Sequence, residues 1–271
     1  MHRTYSKFNH LLSSISYSVY GSGEKVLLVF HGYGHSHKNM KGIEESVSQE
    51  YKIYSFDLFF HGFSEWNYDD SPLSKDHWVS IMNAFLLKNE IQKFSVLGFS
   101  LGGKVALSLV ELMPEKIEKV YLIAPDGLRY HFWYDMVTSG LLKSVFKMTI
   151  STPTIFNTTV SVLNRLSLVD KSVLRFSSTQ MNSKEKRRRV YYSWVVYKGL
   201  TPDIKKVIGI INEKTIPLTV YLGKYDRIIK PETVLDFCSK VKKCKVHQLN
   251  SGHNNLLDEV SNQLYRELAK I

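Results

Sequence analysis

Cysteine is scarce in this chain: Cys238 and Cys244 are the only two in 271 residues. Two thiols argue against a disulfide scaffold, and their spacing fits no common zinc pattern. They read as ordinary thiols of a reducing compartment. Long apolar runs are also missing. No stretch of about 18 such residues occurs, so no transmembrane helix is expected. The N-terminal segment MHRTYSKFNHLLSSISYSVYGSG is broken by serines and tyrosines before any cleavage-like site. It does not read as a secretory signal, and a cytoplasmic location is the expectation. Neither an internal repeat nor a Pro/Ser-rich linker is present.

Acidic residues are outnumbered, 25 Asp and Glu against 36 Lys and Arg, which leaves a net charge of +11. The excess is local. Residues 127–205 hold 13 basic and 4 acidic side chains, and the rest of the chain holds 23 and 21. Such a segment suits nucleic acid, an acidic membrane surface, an anionic substrate or a solvated helical face. No nucleic-acid-binding motif accompanies it, so no nucleic-acid partner is expected. A hydrophobic fraction of 44% and a charged fraction of 23% are those of a packed globular chain, which excludes disordered and collagen-like classes.

Short apolar runs recur along the sequence. They cover residues 25–30, 51–57, 93–98, 119–124, 217–222 and 245–249, each rich in β-branched or aromatic residues. Helical spacing fills residues 75–90 and 101–113. Buried strands alternating with helices imply an α/β fold: a mostly parallel central sheet with helices on both faces. The rhythm breaks between 127 and 205. That stretch lacks strand runs, is aromatic, and contains Lys184-Glu-Lys-Arg-Arg-Arg189, with a helix read over 184–198. It reads as a helical insertion, so that 1–126 and 206–271 form the core.

Gly98-Phe99-Ser100-Leu101-Gly102 fits G-x-S-x-G, with a strand run before it and a helical pattern after it. In that setting the serine sits on a strained turn and the flanking glycines let the backbone pass closely. The turn presents the hydroxyl beside the positive end of the following helix. A hydroxyl needs a base to become a nucleophile. His253 follows the run 245–249 in a loop that could aim it back at Ser100. His247, inside that run, is expected in the core or at the surface, and His31 is expected to support its own loop. The base in turn needs an acid to hold its tautomer. Asp226, after the run 217–222, gives the order Ser, Asp, His; Asp126, after 119–124, is the rival. The oxyanion would be held by the backbone N–H groups of Leu101 and Tyr33, the latter in His31-Gly32-Tyr33-Gly34.

With these motifs in place the chain resembles a serine-nucleophile α/β-hydrolase of the fold-1 type with a helical cap, over nearly its full length. Val29-Phe-His-Gly-Tyr-Gly34 resembles the family's oxyanion loop, and Asp57-Leu-Phe-Phe-His-Gly-Phe-Ser64 its D-x-P-G-H-G-x-S segment. Gly98 to Gly102 resembles the nucleophile elbow, Leu222-Gly-Lys-Tyr-Asp226 the acid loop, and Ser251-Gly-His253 the histidine loop. Phe59-Phe60 stand where the family has Pro-Gly, and two rings there would narrow the pocket or wall it. A serine at position 100 argues against epoxide hydrolase and haloalkane dehalogenase chemistry.

The resemblance implies the α/β-hydrolase fold, a cap at 127–205, and an ester hydrolase acting on a small-molecule acyl substrate; the basic charge of the insertion suggests that this substrate has a negatively charged portion as well. No metal or organic cofactor is implied. Of the aromatic residues Phe132, Trp133, Tyr134, Tyr191, Tyr192 and Trp194, most are expected in the interior of the insertion and some against substrate. The Lys184–Arg189 run is expected in solvent. Relatives with the same residues cleave C–C bonds, eliminate (as the menaquinone-pathway synthase does) or transfer acyl groups, and others serve as small-molecule receptors. Those readings stay open at this stage, as does the oligomeric state.

Overall fold

The computed structural model describes residues 2–129, 132–165 and 179–268. The strands are β1 (Thr4–His10), β2 (Ser13–Tyr20), β3 (Lys25–Phe30), β4 (Tyr51–Phe56), β5 (Glu65–Trp66), β6 (Phe94–Phe99), β7 (Ile117–Ile123), β8 (Leu218–Gly223) and β9 (Cys244–Leu249). The helices are α1 (Lys41–Val47), α2 (Lys75–Lys88), α3 (Leu101–Leu112), α4 (Phe132–Val137), α5 (Gly140–Ser151), α6 (Pro153–Arg165), α7 (Lys184–Tyr197), α8 (Ile204–Glu213), α9 (Pro231–Ser239) and α10 (Leu256–Leu268).

The strands form a single sheet in the order β1-β2-β4-β3-β6-β7-β8-β9, with β5 paired to β2. From β4 to β9 every pairing is parallel, while β2 joins β1 and β4 antiparallel. The central strands are apolar throughout because helices cover both of their faces. In β3, Leu27 and Val29 enter a core with Ile43 of α1 and Val260 of α10. The alternate residues, Leu28 and Phe30, are equally buried, and the Phe30 ring meets Trp78 of α2 at 6.0 Å. On that side Phe85 of α2 is ringed by Phe8, Tyr17, Tyr54 and Phe56, with centroids 4.9 to 5.7 Å away.

The N-terminal hairpin is the part of the sheet that apolar runs do not announce. β2 is Ser-Ser-Ile-Ser-Tyr-Ser-Val-Tyr, and its serines are buried. Small hydroxyl side chains fill the pleat there without adding hydropathy. In β1 Phe8 is the only buried residue, so that strand shows neither a run nor an alternation.

The chain divides into two compact units. The first comprises Met1–Tyr68, Ser74–Arg129 and Leu200–Ile271; the second comprises Asp69–Leu73 and Tyr130–Gly199. The helical unit thus begins and ends inside the stretch 127–205 and gains a short segment from before α2. Leu73 N–H donates to the Val196 carbonyl at 3.0 Å, and the space beside Gly199 is filled by Leu73 backbone. Asp70 accepts from Tyr191 Oη at 2.6 Å and Lys147 Nζ at 3.1 Å, and pairs with Lys143 at 3.2 Å. Burial works against its charge, but these three donors hold its carboxyl down at about 2.

The interior of the helical unit is built from Ile150, Phe156, Val190, Tyr191, Val195 and Val196. Phe146 stacks on Trp194 at 5.8 Å, and Tyr134 Oη donates to the Trp194 carbonyl at 2.5 Å. These aromatics therefore serve the unit's own packing; the side chains of Phe132 and Trp133 lie outside the described residues. One expectation fails here. Arg187, in the middle of the charged run, is buried. Its guanidinium donates to the carbonyls of Ile150 and Met181 at 2.9 and 3.2 Å and lies 5.4 Å from the Phe156 ring. A buried cation is tolerated because backbone carbonyls, among them that of Ile150 at the C-terminal end of α5, receive its N–H groups.

Candidate active site

β6 ends at Phe99 and α3 begins at Leu101, so Ser100 alone makes the turn. Its φ of 50° and ψ of −116° are a conformation that side chains rarely adopt. The turn is possible because of Gly98 and Gly102. A Cβ on Gly98 would lie 2.3 Å from the Gly102 carbonyl oxygen, and one on Gly102 would lie 2.0 Å from that of Phe30. Strain at one residue, over-determined by close backbone packing, is how a fold holds a reactive hydroxyl in place.

His253 lies in the loop between β9 and α10, and Asp226 in the loop after β8. The imidazole Nε2 is 3.2 Å from Ser100 Oγ, and Nδ1 is 2.7 Å from Asp226 Oδ2. The carboxylate is nearly sealed from solvent (1% side-chain exposure), the imidazole less so (12%). Asp226 is fixed in turn: its Oδ1 accepts the N–H groups of Ile228 and Ile229 at 2.8 and 2.9 Å. One oxygen is thus spent on its own loop, and the other is left for Nδ1. The His253 ring also stacks on Phe99, 5.1 Å between centroids and 29° between planes.

Asp126 stands close by without joining this chain of bonds. Its backbone N–H donates to the Ser100 carbonyl at 2.9 Å. Its carboxylate accepts Gly127 N–H at 2.7 Å and faces Lys104 Nζ at 3.7 Å. His247 stacks on Tyr221 at 4.8 Å, half-buried on the sheet.

Leu101 is the first residue of α3, so its N–H belongs to the turn of donors that no helical carbonyl reaches. The second proposed donor, Tyr33, sits in a loop whose backbone is tied down by histidines. His31 is wholly buried. Its Nδ1–H donates to the Gly32 carbonyl (2.7 Å) and its Nε2 accepts Leu58 N–H (3.0 Å). That pattern needs the neutral ring, and burial followed by the neighbouring His61 charge pushes its pKa down to about 3. His61 repeats the arrangement, donating from Nδ1 to the Phe59 carbonyl and accepting Gly34 N–H at 2.9 Å.

Asp57, also buried, accepts the backbone and ring N–H groups of His37, both at 2.8 Å, and Phe63 N–H at 3.1 Å. Burial alone would raise that carboxyl, but these donors hold it below the usual range. A half-buried His35 stacks 5.5 Å from Phe99; burial and then the proximity of His253 lower its pKa. His37, His61 and Asp57 are supports that the sequence reading assigned no role. The signal was present in the Asp57–Ser64 segment, whose aspartate and histidine both turn out to be bonded to the glycine-rich loop region.

Phe59 and Phe60 differ from expectation. The Phe59 ring is buried against Trp66 at 4.9 Å, so it is interior packing and not a pocket wall. Phe60 takes a left-handed φ of 67°, a conformation that glycine would take without strain. A cavity of ≈ 330 Å³ opens in the same unit between Leu128, Ile208 and Phe237, and none of Ser100, Asp226 and His253 lines it. Among the described residues, no group of three or more His, Cys, Asp or Glu could hold a metal ion.

Known proteins share this architecture. Lipase 3 of a Moraxella species is 24% identical over 268 residues, 92% of this chain and 79% of that one. A pimeloyl-[acyl-carrier protein] methyl ester esterase of Nitrosomonas europaea is 30% identical over 113 residues, 42% of each chain. The segments matched in the first curated relatives span only 32% to 42% of those proteins. The crystal structure of a hydrolase from Pseudomonas aeruginosa superposes with a TM-score of 0.69 at 17% identity, over 98% of this chain and 97% of that one. The alpha/beta hydrolase fold family matches residues 25–260. A match of that extent, on a sheet of this strand order, settles the kinship: the chain belongs to the alpha/beta hydrolase fold family.

Proposed function

We propose that the protein is a serine-dependent carboxylic ester hydrolase that works through an acyl-enzyme. The observation that carries this reading is the unbroken line Ser100 Oγ, His253 Nε2, His253 Nδ1, Asp226 Oδ2, with steps of 3.2 and 2.7 Å outside the ring. Relatives named as an esterase and a lipase support it.

Ser100 Oγ attacks the ester carbonyl while its proton passes to His253 Nε2. Asp226 keeps the proton on Nδ1, so that Nε2 is the basic nitrogen, and stabilises the imidazolium that forms. The carbonyl oxygen, now an anion, is held by the N–H groups of Leu101 and Tyr33. Collapse of the adduct expels the alcohol, which takes the proton from His253. Water, deprotonated by the same nitrogen, then attacks the acyl carbon and releases the acid and the Ser100 hydroxyl. Side chains and water complete the cycle. The substrate in this reading is a small to medium acyl ester with an apolar portion.

Labelling with a fluorophosphonate, followed by peptide mapping, tests the nucleophile before any natural substrate is known. The label is expected on Ser100, and Ser100→Ala is expected to lose both the label and about 10³-fold or more of kcat/KM on p-nitrophenyl esters. Wild-type turnover by Ser100→Ala, or label on another residue, would sink the proposal.

A further inference from the structure

The helical unit of residues 130–199 exposes apolar side chains that its own interior does not use. On α5, Leu141, Val145 and Met148 recur at four- and three-residue spacing and are 88%, 50% and 53% exposed, with Leu142 beside them. The opposite side of that helix already serves the interior, through buried Ile150 and the Phe146 ring against Tyr191 and Trp194. One residue later α6 begins, and there Ile155 and Val162, two turns apart, are again exposed. α5 thus carries a solvent-facing apolar stripe and α6 two further exposed apolar side chains, a surface of the kind that marks an interaction site.

The charge of the unit indicates what does. Residues 130–199 hold eleven Lys and Arg against three Asp and Glu. The lysines of α5 are already matched, Lys143 and Lys147 both pairing with Asp70. Arg165 at the end of α6, and Lys184 and Arg188 on α7, are exposed and form no ion pair among the described residues. A second copy of this chain would bring a unit of the same sign against the first. An anionic surface would instead be attracted, and on α6 exposed Arg165 follows exposed Val162 by one turn, the pairing of apolar and basic side chains found on helices that lie in a lipid headgroup layer.

We propose that the stripe formed by Leu141, Val145 and Met148 of α5, with Ile155 and Val162 of α6, docks this unit on an anionic phospholipid surface. The docking is independent of the reaction at Ser100.

Co-sedimentation of the full chain with phosphatidylcholine vesicles, with and without phosphatidylglycerol, tests this. The wild type should sediment with the phosphatidylglycerol vesicles and be released as salt is raised. Leu141→Ser combined with Val145→Ser should weaken vesicle partition roughly tenfold or more, without changing far-UV circular dichroism or Tm, because the residues replaced are exposed. Charge reversal by Arg165→Glu with Lys184→Glu should weaken it too, as a second variant outside the stripe. Ser100→Ala should bind as the wild type does, so loss of hydrolysis and loss of docking are separate results. No retention on anionic vesicles, or equal retention of the Leu141→Ser and Val145→Ser double variant, overturns the proposal. A dimer in size-exclusion chromatography that the same variant dissolves, without vesicle binding, overturns it in favour of a second copy.

Discussion

The loops that hold Ser100, Asp226 and His253 and the helices of residues 130–199 are stabilised in different ways. Around the serine, buried histidines and carboxylates make specific hydrogen bonds to the loops they support. His31 and His61 each donate once and accept once, Asp57 receives three N–H groups, and Asp226 divides its two oxygens between its loop and the imidazole. The helical unit instead gathers about Asp70, whose partners Lys143 and Lys147 keep 26% and 48% of their side-chain surface in water. Buried polar networks specify one geometry because a missing partner is costly, whereas exposed ion pairs contribute little and tolerate rearrangement. Fixed geometry thus sits where bond-making demands it.

The largest effect expected from breaking this contrast is at Asp226. Asp226→Asn should lower kcat/KM by about 10³- to 10⁴-fold, because an amide no longer keeps the proton on Nδ1. Asp126→Asn, whose carboxylate faces Lys104 instead, should stay within about threefold. Steady-state kinetics of the two variants side by side decide it, and comparable losses would reopen the choice of acid.

Acid should separate the two regions next. His31 has a folded pKa of about 3 against 6.5 for the free side chain. Between those values the unfolded chain takes up a proton that the folded chain refuses. Stability therefore falls as pH drops from 6.5 towards 3, by up to about 1.4 kcal/mol per pH unit from this ring. Asp57, held low, adds a loss of the same sign once the pH passes below the usual carboxylate range. Asp70, held at about 2, keeps its contribution down to its ordinary value of 3.8 and loses it between there and 2. Amide exchange at pH 7, 5 and 4 should show the sheet weakening first and the Asp70 contacts persisting. Unchanged protection of β3 and β4 down to pH 4.5 would refute the neutral, buried His31.

The smallest expected effect is that of Asp70→Asn. Loss of the carboxylate that joins Lys143, Lys147 and Tyr191 should cost about 1 to 2 kcal/mol. It should appear as faster amide exchange in α5 and α7, with β6 and β8 unchanged. An equal loss of protection in the sheet would show that the two regions share one cooperative unit.

Much of this architecture could be read directly from residues. Strands β3, β4, β6, β7 and β8 are mostly apolar because both of their faces are covered, and the elbow announces itself through Gly98, Ser100 and Gly102. Asp226 and His253 followed from chain order and from their places just past strands. What escaped was whatever depends on a partner distant in sequence. The serines of β2 are buried, which hydropathy does not register. Arg187 looks like its neighbours in a charged run, and only the Ile150 and Met181 carbonyls distinguish it. His61 and His37 became supports when the fold brought Gly34 and Asp57 to them.

The segment Asp69–Leu73 has a practical corollary. A reader of the chain alone would trim it by cutting out 127–205 and joining the ends. Such a deletion would strip Asp70 of Tyr191, Lys143 and Lys147, and Leu73 of the Val196 carbonyl. The helical unit is not a cassette with one entry and one exit, and any graft or excision has to be made at two places at once.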